Sequence, residues 1–342
     1  MQLYLGYTKK ESMNLSPKIS FCIPTYNQPD SMENLLASML GQNMDDVEIV
    51  IRDDSTDDFT EKIVQRYSQK FSVRYFHGRK EGVDEAVIFL IKEARGEYIW
   101  WFGDDALSPS AIEKVKNAIS RKPMLGLVIV NCRESGNTEP EFSFKKDFFF
   151  NNADQVIENI ADMLGFISIT IFRRDLALSG IKSAKKWVGS SWVTLFIVLH
   201  VLSKNFPTAF LSYPCVISKV RSINEKTWYD PLEVFAVNLP RVLVSFDSFK
   251  KKSVRKMLKI NFSGIWRGIL VHRAKGNVHT SFGAFSFSKG LKLARYYKST
   301  PSFWLLLGLI LLPVSFTKLF YLIYKKFFPF TRKRIGGAHS IV

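Results

Sequence analysis

The residues best suited to chemistry in this 342-residue chain are Asp104 and Asp105, which end an apolar run from Tyr98 to Phe102. A buried strand that delivers two acids at its carboxyl end delivers them where open α/β sheets bind ligands. Carboxylate oxygens are preferred ligands of hard divalent cations, and such a cation bridges protein to phosphate and neutralises charge on a leaving group. Acids are also common in surface turns for turn chemistry alone, so the pair needs partners on the same edge. Two other clusters qualify by residue type: Pro24-Thr-Tyr-Asn27 and the acid-rich Arg52-Asp-Asp-Ser-Thr-Asp-Asp58.

Each cluster follows a run that reads as a strand. Lys18 to Ile23 is stopped by Pro24, and Val47 to Ile51 is β-branched and ends at Arg52. Phe71 to Phe76 is a third strand, Tyr98 to Phe102 a fourth and Leu125 to Val130 a fifth. Helices alternate with them. Met32, Leu35, Leu36, Met39 and Leu40 fall at helical spacing, with Asp30 or Ser31 as cap and Gly41 as stop. Ile63, Val64 and Tyr67 mark a second helix capped by Asp57 or Asp58. Val87, Leu90, Ile91 and Ala94 mark a third that Asp84 can cap, and Ser108 with Pro109 opens a fourth. This alternation implies βαβ units and an α/β fold with a mainly parallel sheet flanked by helices, which puts all three polar clusters on one sheet edge. Neighbours in a strand face opposite layers, so Trp100 and Trp101 read as sheet packing.

At this point the chain resembles a family. Ile23-Pro-Thr-Tyr-Asn27, Asp53-Asp54 with Ser55-Thr56-Asp57-Asp58, Gly82, and Ala94-Arg-Gly-Glu-Tyr-Ile99 ending in Asp104-Asp105 look like the family 2 glycosyltransferases, whose fold is the Rossmann-like GT-A fold. Gly-Asp-Asp after a Trp-containing strand, with Asp84 two residues after Gly82, resembles the abequosyltransferase-like subtype of bacterial surface polysaccharide assembly. The resemblance covers about residues 17 to 135, with four short motifs in order. It implies that Pro24 and Tyr26 border the nucleobase, Tyr26 offering a face to stack on, and that Asp53 accepts from the base with Asp84 on the same wall. It further implies that Asp104 sits near the ribose and that Asp105 ligates the divalent metal, Mg2+ or Mn2+, on the sugar-nucleotide diphosphate. Gly103 stands at the first acidic position of the family's Asp-x-Asp pattern, so one carboxylate is lost and the metal is expected to be held mostly by the diphosphate. The residues alone leave Tyr26 open to being an ordinary strand-end aromatic, and Asp53 and Asp84 open to being turn or cap residues.

The second half is expected to supply the acceptor site. Phe166 to Phe172 reads as a strand, Arg173-Arg174-Asp175 leads into a helix, and Ser190 to Lys204 is a strongly apolar helix. In many inverting members of the resembled family, an acid near the start of that helix removes the acceptor hydroxyl's proton. Gly189-Ser-Ser-Trp192 has no acid there, so the general base is unassigned. Asp175, Asp162, Asp230 and His200 are substitutes by type, each with a structural alternative; His200 lies among Leu199, Val201 and Leu202 and reads as a core histidine. Arg221 is a candidate bidentate contact to the diphosphate.

Cys22, Cys132 and Cys215 show no metal-ligand spacing, which points to a reducing compartment without disulfides. Met1 to Pro17 lacks the apolar core of a signal peptide. Charge is uneven: of the formal +17, residues 241–342 carry 20 Lys and Arg against one acid, Asp247, while the first 240 residues are nearly neutral. These bases flank a hydrophobic segment, which argues for an anionic membrane surface and against nucleic acid. Phe303 to Thr317 has no charged residue, and Trp304 to Leu312 shows no polar face. Fifteen helical residues reach only about 22 Å, short of a hydrocarbon core of roughly 30 Å. The expectation is a re-entrant or in-plane segment bent near Pro313.

The expected organisation is an N-terminal extension (1–16), a nucleotide-sugar-binding half (17–135), an acceptor-binding half of the same domain (136–240), a basic helical region (241–300), a hydrophobic membrane-associating segment (301–328) and a basic tail (329–342). The expected activity is metal-dependent transfer of a sugar from a nucleotide donor to a saccharide acceptor. A polyprenyl-diphosphate-linked acceptor, at the cytoplasmic face of a bacterial inner membrane, in O-antigen, capsule or exopolysaccharide synthesis, fits a membrane-held enzyme. The alternative is a catalytically inactive relative that binds sugar nucleotide or partner proteins at the membrane. A nucleotidyltransferase is disfavoured, since Pro24-Thr-Tyr-Asn27 is not the Gly-rich, basic loop that such a sheet would carry after its first strand.

Overall fold

The structure, a computed structural model, describes residues 3–7, 16–160, 163–219, 230–276 and 282–327. Arg221 and Asp162, two of the residues singled out above, and the tail 329–342 lie outside these. The chain forms two compact units, Met1–Val156 with Phe166–Val220, and Ile157–Gly165 with Arg221–Val342.

The first unit alternates strands and helices: β1 (Leu3–Tyr7), β2 (Ile19–Thr25), α1 (Pro29–Ser38), β3 (Val47–Asp53), α2 (Phe59–Ser68), β4 (Val73–His77), α3 (Val83–Glu93), β5 (Tyr98–Trp101), β6 (Ala106–Leu107), α4 (Ala111–Arg121), β7 (Leu127–Glu134) and β8 (Phe148–Phe150). After α5 (Ala153–Ile160), which runs into the second unit, come β9 (Thr170–Arg173), α6 (Arg174–Ala184), α7 (Val193–Ser203) and β10 (Thr208–Ser218). The strands make one sheet in the order β1-β4-β3-β2-β5-β9-β7-β10-β6, with β8 on β10. β4, β3, β2 and β5 are mutually parallel, in a register that sets Thr25 beside Asp53 and Asp53 beside His77. The run Ile19 to Ile23 and all of Val47 to Asp53 are buried, as a central parallel sheet covered on both faces requires.

Two strands depart from the expected pattern. β1 pairs antiparallel with β4, extending the sheet into the part read as an extension. β9 inserts antiparallel between β5 and β7, so the fourth and fifth expected strands are not neighbours. This matters for the site, because an antiparallel strand brings its N-terminal end to the edge where β2, β3 and β5 end.

Trp100 and Trp101 are fully buried on opposite faces, as expected from strand alternation. Trp100 stacks on Phe21 at 4.9 Å between centroids, and Trp101 meets Phe172 edge-on at 4.6 Å. The three cysteines are buried and unbridged.

The second unit holds α8 (Leu239–Val244), α9 (Lys251–Ala274), α10 (Phe287–Tyr297), α11 (Pro301–Leu311) and α12 (Val314–Phe327). Its core is aromatic: Phe262 of α9 lies 4.7 Å from Tyr297 and 5.6 Å from Phe303, and Asn261 donates to the Tyr297 hydroxyl at 2.8 Å. A Cβ on Gly290 would lie 2.2 Å from the Leu307 side chain, so α10 and α11 approach closely because that position is glycine. No helix among the described residues is long and apolar enough to cross a membrane. The hydrophobic segment is broken at Leu312–Pro313, where the bend was expected.

Candidate functional site

The sheet edge formed by the carboxyl ends of β2, β3, β4 and β5 collects the polar clusters of the first unit. Asp105 lies just past β5 and is 5% exposed. The Ser168 hydroxyl donates to its Oδ2 at 2.5 Å, and the Lys219 backbone N–H donates to its Oδ1 at 3.2 Å. Ser168 precedes β9, so the antiparallel insertion is what brings it to this edge. Its own carbonyl accepts from Trp100 Nε1 at 2.8 Å, which ties the serine to the sheet interior. Lys219 follows β10, whose Val216 and Ile217 pair with Leu107 and Ala106 of the short β6. Asp105 is thus clamped between two strand ends that lie far from it in sequence. Asp104 beside it is half-buried.

Tyr26, at the end of β2, is 37% exposed, and Pro24 is half-buried. Lys80, in the loop between β4 and α3, places its ammonium 4.1 Å from the centroid of the Tyr26 ring, a cation–π contact on one face. Asn27 has a positive φ of 50° and joins the first two loops: its N–H donates to Ser55 Oγ at 2.8 Å, and its Oδ1 accepts from the Thr56 N–H at 3.0 Å.

Asp53 is fully buried. Its Oδ1 accepts from the Ser55 N–H at 2.8 Å and its Oδ2 from the Tyr75 hydroxyl at 2.7 Å, so in this structure it holds the turn after β3. The neighbouring Asp54 accepts from Arg52 Nε at 2.6 Å and from the Glu81 N–H at 3.2 Å, and Arg52 also reaches Glu81 at 3.2 Å. A Cβ on Gly78 would sit 2.3 Å from the Arg52 guanidinium, so this buried arginine threads under the loop because residue 78 is glycine.

Asp84 is 5% exposed and does not cap its own helix; Gly82, at φ 92°, is the N-cap of α3. Its carboxylate instead reaches the head of α7, where Oδ2 accepts from the Ser191 N–H at 2.8 Å and Oδ1 from the Val193 N–H at 3.1 Å. Gly189 and Ser191 both have positive φ, 85° and 65°, so successive N–H groups of this segment converge into an anion cradle at a helix N-terminus. Burial pushes the Asp84 carboxyl up from its ordinary range, and the N–H groups of Val193, Ser191, Gly189 and Ser190 pull it partly back. The helix that lacks an acid of its own receives one from α3.

The substitutes for the missing acid are placed elsewhere. Asp175 follows β9 and lies at the opposite sheet edge, since Arg173 pairs with Tyr98 at the start of β5. There it binds Arg173 through both oxygens, at 2.8 and 2.5 Å, and that guanidinium holds its carboxyl below the ordinary range. His200 packs against Gly180, bonds Ser179 at 3.0 Å and is pushed down by burial, a structural imidazole that is neutral at pH 7. Asp230, in the second unit, accepts from the Leu232 N–H at 2.8 Å as a helix cap.

The sequence model described as Glycosyl transferase family 2 matches residues 20–177, the stretch that carries Tyr26, Asp53, Asp84, Asp105 and Ser168. Residues 20–177 belong to glycosyl transferase family 2. Over 224 residues the chain is 27% identical to the abequosyltransferase RfbV of Salmonella typhimurium, a match that covers 59% of this chain and 66% of that one. The structure resembles S. aureus TarS 1–349 in complex with UDP-GlcNAc, with a TM-score of 0.55, 18% identity and 70% coverage of each chain. It also resembles the mannosyltransferase PcManGT of Pyrobaculum calidifontis in complex with GDP-Man and Mn2+, with a TM-score of 0.50, 14% identity, and coverage of 90% and 88%. These likenesses show that the family 2 domain has the GT-A fold.

A divalent metal fits the family 2 domain only in a particular way. Among the described residues no cluster of three or more His, Cys, Asp or Glu is placed to hold a metal ion. Asp104 and Asp105 are the residues that would face such an ion at this edge, and with so few protein oxygens the ion would need further oxygen ligands from its substrate or from water. Ser168, Lys219 and Lys80 were not anticipated from the sequence. No local signal marks them, since Ser168 meets Asp105 across 63 positions and Lys219 across 114.

Proposed function

We propose that this chain transfers a glycosyl residue from a sugar nucleotide to a saccharide carried on a polyprenyl diphosphate, in surface polysaccharide synthesis, at the cytoplasmic face of a bacterial membrane. The observation that carries this reading is the clamped Asp105 carboxylate on the same sheet edge as Tyr26, inside the region that matches family 2. Tyr26 and Pro24 border the nucleobase, with Lys80 behind the ring. Asp104 faces the ribose, and Asp105 presents its carboxylate, oriented by Ser168 and Lys219, to the diphosphate-bound Mg2+ or Mn2+. A cation there supplies charge neutralisation for the departing nucleoside diphosphate. The resemblance assigned Asp53 and Asp84 to the base wall; their hydrogen bonds support positioning roles instead, Asp53 for the loop beside Tyr26 and Asp84 for the head of α7 on the acceptor side.

The similarity to an abequosyltransferase supports a saccharide acceptor, and the basic, apolar C-terminal region supports a membrane-borne one. The test is release or transfer of sugar from a panel of sugar nucleotides by purified protein with Mg2+ or Mn2+. Turnover of at least one donor that is abolished by Asp105→Ala is expected. A second reading, binding of sugar nucleotide without turnover, rests on Gly103 and on the absence of an acid in Gly189–Trp192. It predicts nucleoside diphosphate binding with no turnover of any donor.

A further inference from the structure

In the second unit each of the last two helices is apolar on two sides. α11 buries Phe303, Leu306, Leu307 and Ile310 against its neighbours, which is the stripe expected of a core helix. Its other side carries Trp304 and Leu305 and ends in Leu311, which is 65% exposed. α12 rests on α9 through Phe320 and Tyr324, both against Trp266. Its outer side shows Phe316 at 54%, Leu319, Leu322 at 62% and Ile323. A contiguous apolar surface of this kind marks an interaction site rather than a face for water.

The corner between the helices is built for a dry environment. Leu312 is extended and Pro313 has no N–H, so the break leaves carbonyls of the last turn of α11 without helical partners. Arg273, in the last turn of α9, donates to the Ile310 carbonyl at 3.0 Å and to the Leu312 carbonyl at 3.4 Å. The Phe316 N–H donates to the Pro313 carbonyl at 3.0 Å. These carbonyls are satisfied from within the protein, which is the condition for irregular backbone to enter lipid. Around this surface the charge is one-sided: Lys318, Lys325 and Lys326 lie exposed on α12, and residues 241–342 contain one acid. A second copy would bring equally basic surface to this face, whereas anionic phospholipid brings the complementary charge.

We propose that the α11–α12 corner is a monotopic wedge that enters one leaflet of an anionic bilayer, with Leu311 to Phe316 deepest and the lysines of α12 at the headgroups. At about 16 and 21 Å the two helices are each too short for the hydrocarbon core, so both lie within one leaflet. The inference deepens the membrane-borne acceptor of the proposed function, and its test does not depend on turnover.

Full-length protein is mixed with vesicles of phosphatidylcholine alone or with phosphatidylglycerol, and floated on a density gradient. Flotation with the anionic vesicles is expected, with weaker recovery on phosphatidylcholine or in high salt. Leu311→Asp with Phe316→Asp, both at exposed positions, should cut partitioning by about tenfold or more and leave the thermal melt unchanged. A fluorophore on Leu311→Cys should shift to the blue on binding, while one on Lys275→Cys, in the C-cap of α9, should not. Failure to float, equal flotation of the double variant, or concentration-dependent self-association that consumes this face in place of lipid binding would each overturn the wedge. Donor hydrolysis measured on the same preparation separates the readings: flotation without hydrolysis sinks the proposed function and leaves the wedge standing.

Discussion

The Asp84 carboxylate accepts from the Ser191 N–H at 2.8 Å across 107 positions of sequence, and so pins the head of α7 to the first turn of α3. Asp84→Asn keeps one carbonyl acceptor and turns an amide N–H2 toward the other backbone donors. A loss of about 1–3 kcal/mol in unfolding free energy is expected, with a raised KM for acceptor and little change for donor. The pH dependence has a definite sign. Burial raises this carboxyl, so the folded chain holds its proton more tightly than the unfolded one; the group favours folding at low pH, and that contribution is lost as pH rises through its folded pKa. The stability gap between wild type and Asp84→Asn should therefore narrow as pH rises from about 4 toward 7, as read by chemical denaturation. A gap that widens with pH would count against the buried-carboxylate account.

The Ser168 hydroxyl donates to Asp105 Oδ2 at 2.5 Å and so orients that carboxylate. Ser168→Ala leaves the Trp100 bond intact, because that bond uses the backbone carbonyl. The expected result is a normal melt with apparent metal affinity weakened by about tenfold or more, seen as a higher metal concentration at half-maximal turnover. Restoration by Ser168→Thr would show that the hydroxyl is the operative group. Unchanged metal dependence in Ser168→Ala would remove Ser168 from the site.

Tyr26 and Lys80 make separable predictions. Tyr26→Ala should cost about 1–3 kcal/mol in donor binding if the ring carries the base. Lys80→Met retains a ring-covering chain but no charge, so it should weaken donor binding only through the cation. Calorimetry with the nucleoside diphosphate distinguishes them, and equal losses from both variants would argue that the ring does not stack.

The fold was legible where one period dominates. The buried runs at Ile19 to Ile23 and Val47 to Ile51 could only be central strands, and the helix patterns between them set the site edge. The position of Asp105 just past the end of β5 was legible too, because the apolar run before it marks the strand. What could not be read were pairings set by tertiary context: β9 entering antiparallel between β5 and β7, and the hydrogen bonds that follow from it. Local spacing makes Asp84 a cap for its own helix, but Gly82 takes that place and the Asp84 carboxylate instead reaches the head of α7, more than 100 positions away. Asp53 shows the reverse case, since the Tyr75 hydroxyl that donates to its second oxygen lies two strands along the sheet from the loop after β2.

Gly103 gives the sharpest test of the metal site. A Cβ placed there would meet only Ile167 Cδ1, at an ordinary 3.7 Å, and its backbone is not in the positive-φ region. Neither space nor conformation requires glycine, so Gly103→Asp should fold with an unchanged melt. It would restore the first acid of the Asp-x-Asp pattern and add a carboxylate beside Asp104 and Asp105. More protein oxygens mean tighter holding of a hard cation, so less Mg2+ or Mn2+ should be needed for half-maximal turnover, and metal should bind detectably before the nucleotide does. Titration with Mn2+ followed by electron paramagnetic resonance checks this directly. If Gly103→Asp folds but binds Mn2+ no better than wild type, with or without nucleotide, Asp105 is not at the metal.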